Sequence, residues 1–378
     1  MRVGFDVRPF LKEETGVGIY FKNLLFALAA IDRENEYFLF SSSWKDRFDP
    51  RKIPPFAHKH FRDLRYPVRM INFLWYKLGW PSIDLFYKTR LDLAHSPTPL
   101  VLPSGGKKIV TVYDLCFLEY PHLSDDESRH VFSSRIEHSL HRADKIITIS
   151  HFSREQILKR FSVKKDKIHV THLGIDRSFW RDITREEMER IRLNFHLPSS
   201  YLLFVGAQEP RKNILRLIEA LKIVHNQYRK IPLVLAGRAG KDSALVMDRI
   251  KTYDLEKWIY MTGYTNDFEL RGLYRSATAF VFPSICEGFG LPLLEAMASG
   301  IPIVASEAPA LPEICRDAAL FFDPEHPENI ADVIIRVLKN ADLREDLVKK
   351  GEQRVLDFSW EATAKETLSI YRSLVGAS

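Results

Sequence analysis

The feature that most constrains this chain is an alternation that runs through its second half. Short apolar runs, YLLFVG, PLVLAG, WIYMTG, AFVFPS, PIVAS and ALFFDP, take turns with longer stretches of helical spacing: NILRLIEALKIVHN, ALVMDRIKTYDL, DFELRGLYRSA, LPLLEAMASG and NIADVIIRVLKN. Strands that are apolar on both faces and separated by helices pair in parallel, so the pattern predicts an α/β fold with a parallel sheet between two helical layers. The first half alternates in the same way. RVGFDV, EYFLFS, LDLAHS, KIVTVYD, KIITIS and KIHVTHL read as strands, with GIYFKNLLFALAAI and ESRHVFSSRIEHSLHRA as helical patterns between them.

At 378 residues the chain is longer than one hydrophobic core usually serves. The expectation is two doubly wound, Rossmann-like domains, residues 1–185 and 195–358, joined near residues 178–198, where GIDRSFWRDITREEMERIRLNFHLPSS is charged and has no strand-like run. Open parallel sheets bind ligands outside the carboxyl ends of their strands, so a cleft between the domains is the expected site. A formal charge of +6 favours a phosphate-bearing partner, whether nucleotide, nucleic acid or anionic membrane. The cysteines Cys116, Cys286 and Cys315 are far apart and lack metal-ligand spacing, and they read as reduced thiols. Neither a leader nor a run long enough to span a bilayer is evident, so the expected location is the cytoplasm, with any membrane contact peripheral.

Three stretches carry candidate chemistry. In AFVFPSICEGFGLPLLEAMASG a strand leads through a glycine turn into a helix with Pro292 near its start. Gly288 and Gly290 let the backbone turn tightly and bring amides close to a ligand, and a helix N-terminus favours negative charge. Glu287 in the loop and Glu295 in the helix are suited to accept hydrogen bonds from sugar hydroxyls; the bland alternative is a solvated Glu287 and a Glu295 that complements the helix dipole. In GAQEPRKN, after the first strand of the second domain, Arg211 and Lys212 form a candidate diphosphate clamp, the bland alternative being a solvated basic pair in an exposed turn, and Asn213 a candidate helix cap. In ETGVGIYFKNLL, Gly16 and Gly18 precede a helix, but Phe21 stands where a dinucleotide fingerprint needs its third glycine, which excludes a nicotinamide site and leaves a loop whose amides approach a phosphate or acceptor, or a plain helix-start turn. At first-domain strand ends stand His95, Tyr113 and Asp114, each equally readable as a structural residue. Residues 59–90 combine basic and aromatic side chains, which suits an anionic lipid surface and equally an ordinary helix that covers the domain. Stacking on nucleic acid would use the same residue types, but no nucleic-acid motif accompanies them.

EGFGLPLLEAMASGIPIVAS, EPRKN, FVFPS, TGVGIYFKNLL, the strand-end pair YD and the terminal FSWEATAKETLSIYRSLV together resemble the retaining glycosyltransferases of the group 1, or GT4, family. That resemblance implies a GT-B architecture with a deep interdomain cleft, in which the C-terminal helix, residues 359–378, packs back onto the first domain. It implies that Arg211 and Lys212 neutralise the donor diphosphate, that Glu295 binds the ribose hydroxyls and that Glu287 meets hydroxyls of the transferred sugar. Amides around Phe289, Gly290 and Leu291 contact sugar or phosphate, the loop at Gly16 to Gly18 closes on the donor, and backbone near Gly263 and Tyr264 takes the base. Tyr113 stands where many members have His, and Ala207 follows Gly206 where some carry Arg.

The implied reaction moves a hexosyl unit, mannosyl favoured, from a nucleotide-diphosphate sugar to a saccharide or lipid-linked saccharide acceptor in polysaccharide or lipopolysaccharide biosynthesis. GDP-mannose is the favoured donor and a UDP-sugar the next, with no cofactor. No Asp-x-Asp is present to anchor a divalent metal, and two cations take its place, so metal independence is expected. A sugar-nucleotide epimerase or hydrolase of the same fold, and a non-catalytic nucleotide-sugar-binding protein, are the alternatives.

Overall fold

The computed structural model of the chain describes residues 1–10, 16–124 and 132–376. It divides into two compact units: Met1–Glu119 with Asp125–Gly174 and Ser359–Ser378, and Ile175–Phe358 with Tyr120–Ser124.

The first unit is built on seven strands, β1 (Arg2–Asp6), β2 (Glu36–Ser42), β3 (His58–Leu64), β4 (Leu93–Ser96), β5 (Lys107–Val112), β6 (Lys145–Thr148) and β7 (Ile168–Val170). Their order is β3-β2-β1-β4-β5-β6-β7, and every pair is parallel. One apolar cluster, with Phe38, Phe40, Trp75 and Leu91, packs about β2 and β4, and another, with Val110, Leu140, Ile146 and Ile157, about β5 and β6. β3 is absent from the sequence reading because it is an edge strand whose HKHFRDL is largely exposed, and charge on an edge keeps it from pairing with another chain. The helical pattern expected over 127–143 is helix only over Ile136–Arg142, and residues 127–131 lie outside the described residues. The C-terminal helix Trp360–Val375, capped by the Ser359 side chain, packs on the helix Gly16–Ile31, and its Thr363 hydroxyl donates to the His172 carbonyl at 2.7 Å.

The second unit has six strands, β8 (Leu202–Val205), β9 (Leu233–Ala236), β10 (Ile259–Gly263), β11 (Ala279–Phe282), β12 (Ile303–Ser306) and β13 (Ala319–Phe322), in the order β10-β9-β8-β11-β12-β13. All are parallel, so the order reverses between β8 and β11 and creates a switch point there. The core is a single cluster in which the helices Ile214–Gln227 and Pro327–Lys339 lie against β8, β9 and β12 through Leu217, Leu221, Ile330 and Ile334. The stretch expected as a strandless linker is helical at Arg177–Arg181 and Arg185–Asn194, the latter opened by a Thr184–Glu187 capping box, and both helices belong to the second unit. Trp180 meets Tyr274 edge-on, and the Arg271 guanidinium donates to the Phe179 carbonyl, which fixes them there.

Of the cysteines, Cys315 is a buried free thiol. The expectation of three reduced thiols fails for Cys116 and Cys286, neither of which is free. Among the described residues no helix is long and apolar enough to cross a membrane.

Candidate active site

The switch point of the second sheet gathers the strongest candidates. The loop after β8 tightens into a single turn, Pro210–Lys212, with proline at its first position and Asn213 in the left-handed region at φ +58°. Asn213 starts the helix Ile214–Gln227 by position but makes no side-chain cap bond. Its amide instead donates to the carbonyls of Pro283 at 3.1 Å and Pro324 at 2.7 Å, tying the loop to the ends of β11 and β13. The Ile285 amide donates to the Arg211 carbonyl at 2.8 Å. Two loops 75 residues apart are thereby locked side by side.

That lock brings Glu287 against both cations. Its Oε1 lies 2.6 Å from Lys212 Nζ and 2.9 Å from the Arg211 guanidinium. Glu287 is 8% exposed, so the reading of a solvated carboxylate fails. Burial pushes its pKa up, but Arg211 and then Lys212 outweigh that and hold it down at about 2. Lys212 is equally buried and its ammonium stands over the Phe282 ring at 4.9 Å, whereas the Arg211 side chain is 35% exposed. The triad carries net positive charge, and Arg211 is its most exposed member.

After Glu287 the backbone turns through Gly288 and Phe289 to Gly290, where φ is +91°. A Cβ there would come within 2.9 Å of Leu293 and Leu311 side-chain atoms, so the position needs glycine. Phe289 is buried edge-on to Phe358 and anchors the turn. The helix Leu291–Ala298 starts there, with Pro292 in its first turn and the first amides free of intrahelical acceptors. Glu295 lies one turn further on, and its Oε2 accepts from the Tyr274 hydroxyl at 2.8 Å. Burial raises its pKa to about 7 in spite of that hydrogen bond, and Asp267 adds to the rise.

Three neighbouring strands of this sheet end on glycine: Gly206 after β8, Gly237 after β9 and Gly263 in β10. They are linked by hydrogen bonds from the Gly206 amide to Ala236 and from the Gly237 amide to Gly263. A Cβ on Gly237 would lie 2.1 Å from the Gly206 carbonyl oxygen, so these two strand ends pack backbone against backbone and leave no room for a side chain at Gly237. Tyr264 follows at 61% exposure. Gly237 and Tyr274 were not singled out from sequence. The signal for Gly237 was legible in FVG, LAG and MTG; that for Tyr274, a tyrosine inside an amphipathic helix, was not.

The remaining candidates stand in the first unit. Gly16 and Gly18 open the helix Gly16–Ile31, and residues 11–15 before them lie outside the described residues. The Tyr113 hydroxyl donates to the Pro97 carbonyl at 2.9 Å, and Asp114 accepts from the Cys116 amide at 3.0 Å. His95 is wholly buried, with Nδ1 2.6 Å from the Tyr371 hydroxyl and Nε2 2.8 Å from Thr111 Oγ1, and burial drops its pKa to about 3. With both ring nitrogens engaged, it is a neutral link between β4, β5 and the C-terminal helix. It offers nothing to an acceptor, contrary to expectation. Sequence reasoning also passed over the buried Asp6–Arg8 ion pair at the end of β1, whose guanidinium lies 4.8 Å from the Trp75 ring centre.

Two parallel doubly wound domains, the second with paired cations and a helix mouth at its switch point, define the GT-B class of glycosyltransferases. The comparisons agree. Residues 186–354 match the family described as glycosyl transferases group 1, and residues 15–179 match glycosyltransferase family 4. The chain is 30% identical to the O-antigen chain mannosyltransferase B of Escherichia coli, over 99% of this chain and 100% of the relative. It is 27% identical to the O-antigen chain mannosyltransferase RfbU of Salmonella typhimurium, over 78% and 77%. Among solved structures, sucrose-phosphate synthase from Thermosynechococcus elongatus superposes with a TM-score of 0.78 at 21% identity, covering all of both chains. Anabaena HepE in complex with UDP-glucose gives 0.78 at 14%, over 99% of this chain and 100% of HepE. The chain belongs to the group 1, family 4 glycosyltransferases.

Proposed function

We propose that the protein is a retaining, metal-independent mannosyltransferase that extends a saccharide or lipid-linked saccharide acceptor in polysaccharide or lipopolysaccharide biosynthesis, using GDP-mannose, with a UDP-sugar as the next donor. The observation that carries this reading is the Arg211–Lys212–Glu287 triad at the switch point of the second sheet. The names of the two O-antigen relatives support the sugar and the acceptor class.

Breaking a glycosyl–phosphate bond puts negative charge on the leaving diphosphate and positive charge on the sugar ring. Fixed cations and amides that meet the former lower the barrier without reorganising during the step. Arg211, partly exposed, forks onto phosphate oxygens while the buried Lys212 keeps Glu287 in place and adds its charge from below. The amides of the turn at Gly288 to Leu291 add their dipoles, and Glu287 presents its second oxygen to the sugar hydroxyls. Glu295, held by Tyr274, takes the ribose, and the glycine strand ends at Gly237 and Gly263, with Tyr264, take the base. Attack comes from the face the diphosphate leaves, with a phosphate oxygen receiving the acceptor proton, and no protein carboxylate is glycosylated. Residues 59–90 make the peripheral membrane contact, and the protein works at the cytoplasmic face.

A thermal-shift panel of GDP-, UDP- and ADP-sugars tests the donor. The true donor, at about 100 times its dissociation constant, stabilises by roughly 2.7 kcal/mol. An ADP-sugar giving the largest shift would overturn the donor assignment, and rapid breakdown of the donor without acceptor would overturn the transferase assignment. Transfer must persist in excess chelator, and the product must keep the donor's anomeric configuration.

A further inference from the structure

At the end of the first sheet where its strands begin, opposite Tyr113 and Asp114, lies a cavity of about 630 Å³. Lys88 and Arg90 approach it from the segment before β4, Lys108 from the start of β5, and Arg142 from the end of the helix Ile136–Arg142. Four cations thus face one carboxylate, Asp84. That carboxylate is already occupied, accepting from the Ser82 hydroxyl at 2.5 Å, the Leu91 amide at 2.8 Å and the Gly105 amide at 3.0 Å. Lys108 Nζ donates to the Gly106 carbonyl at 3.2 Å, while Lys88, Arg90 and Arg142 make no ion pair among the described residues. Four like charges gathered around one cavity repel one another and raise the local potential for an anion.

One exposed apolar side chain lines the cavity, and two more flank a lining residue in sequence. Leu78, Trp80 and Leu85 are 60%, 61% and 57% exposed, and Leu85 lines the cavity itself. Gly79, between the first two, also lines it, and a Cβ on Gly79 would lie 3.9 Å from an Arg142 guanidinium nitrogen. Leu85 therefore shares the cavity with the cations, and Leu78 and Trp80 adjoin it through Gly79. A free phosphate would use the cations alone and gives no reason for a bare tryptophan and two leucines beside them. A phospholipid uses both, since an indole ring settles at the headgroup boundary while cations hold the phosphate.

We propose that this cavity binds the phosphate head of an anionic glycerophospholipid, with Leu78, Trp80 and Leu85 seated at the headgroup–acyl boundary. The proposal rests on the membrane contact in the reading above and gives it a specific pocket, five of whose lining residues, Pro103, Ser104, Gly105, Lys108 and Arg142, lie outside residues 59–90. Docking by this end holds the far end of β5 one strand length from the lipid, about 20 Å for its six residues. That spacing suits an acceptor whose growing end stands several sugars away from the bilayer.

Flotation with vesicles of phosphatidylcholine, alone or containing phosphatidylglycerol, tests it. The wild-type protein is expected to float only with the anionic vesicles. K108Q/R142Q should lose affinity about 5-fold for each cation removed. R65Q/R69Q, which removes equal charge from the same basic region but not from the cavity, should lose clearly less. W80S should weaken binding and abolish the blue shift of tryptophan emission on vesicles. Should K108Q/R142Q fail to fold, K88Q/R90Q, whose side chains are exposed, reads the same pocket. Equal losses in the two double variants would overturn the pocket in favour of a diffuse field. Absence of wild-type flotation would overturn it outright, and so would thermal stabilisation by glycerol phosphate without vesicle binding, which would mark a free-anion site. Donor-induced thermal shifts should be unchanged in all these variants, so failure of this site and failure of the transferase reading are distinguishable.

Discussion

Replacing Glu287 by glutamine removes the charge that holds Arg211 and Lys212 together while keeping the shape of the side chain. The magnitude follows from the carboxyl's pKa, which falls from an ordinary 4.5 to about 2 in the folded chain. A difference of that size corresponds to roughly 3 kcal/mol of stability. Because the folded value lies below the unfolded one, the contribution is fully present above pH 4.5 and is lost as pH falls toward 2. Glu287→Gln should therefore be less stable than the wild type by about 3 kcal/mol at neutral pH, since Lys212 is left buried beside a neutral group. The gap should close as pH falls. Urea unfolding followed by the fluorescence of Trp180 and Trp258, both in the second domain, at several pH values between about 7 and 3 measures it. A gap that stays constant across that range, or no gap at neutral pH, would refute the claim that the two cations hold this carboxylate ionised.

Lys212→Ala should lower kcat about 10²–10³-fold, the usual cost of losing one preorganised group at developing charge. Steady-state kinetics with the best donor checks this, and a change confined to KM would contradict a role in the transition state. Glu295 accepts ribose hydroxyls best when ionised, and burial raises its pKa to about 7, so donor affinity should rise with pH through about 7 and then level off. In Glu295→Gln the affinity should be weaker and flat with pH; a wild-type affinity independent of pH between about 6 and 8 would contradict the assignment.

The second domain was readable from sequence because most of its strands are apolar runs closed by Gly or Pro, and strict alternation with helices makes the sheet parallel. β3 was not, since His58, Lys59, His60, Arg62 and Asp63 give an edge strand the composition of a surface loop. The helix Ala341–Arg354 was missed for a related reason: ADLREDLVKKGEQR is so charged that its buried face reduces to a few residues such as Leu347 and Gly351. In the site, residue types were legible and partnerships were not. Glycines, Pro292 and the Arg-Lys pair mark turns that local rules can place. The meeting of Glu287 with cations 75 residues earlier is a product of strand order, which no local window contains. His95 misled because a histidine at a strand end looks functional until both its nitrogens are found bonded in the core.

The most direct test of the account compares a nucleoside diphosphate with its monophosphate by isothermal titration, using the base preferred in the donor panel. If Arg211 and Lys212 grip the diphosphate, the wild-type protein binds the diphosphate far more tightly than the monophosphate, and Arg211→Gln/Lys212→Gln removes most of that preference while preserving monophosphate binding. An undiminished preference in the folded double variant would show that the diphosphate is held by other groups.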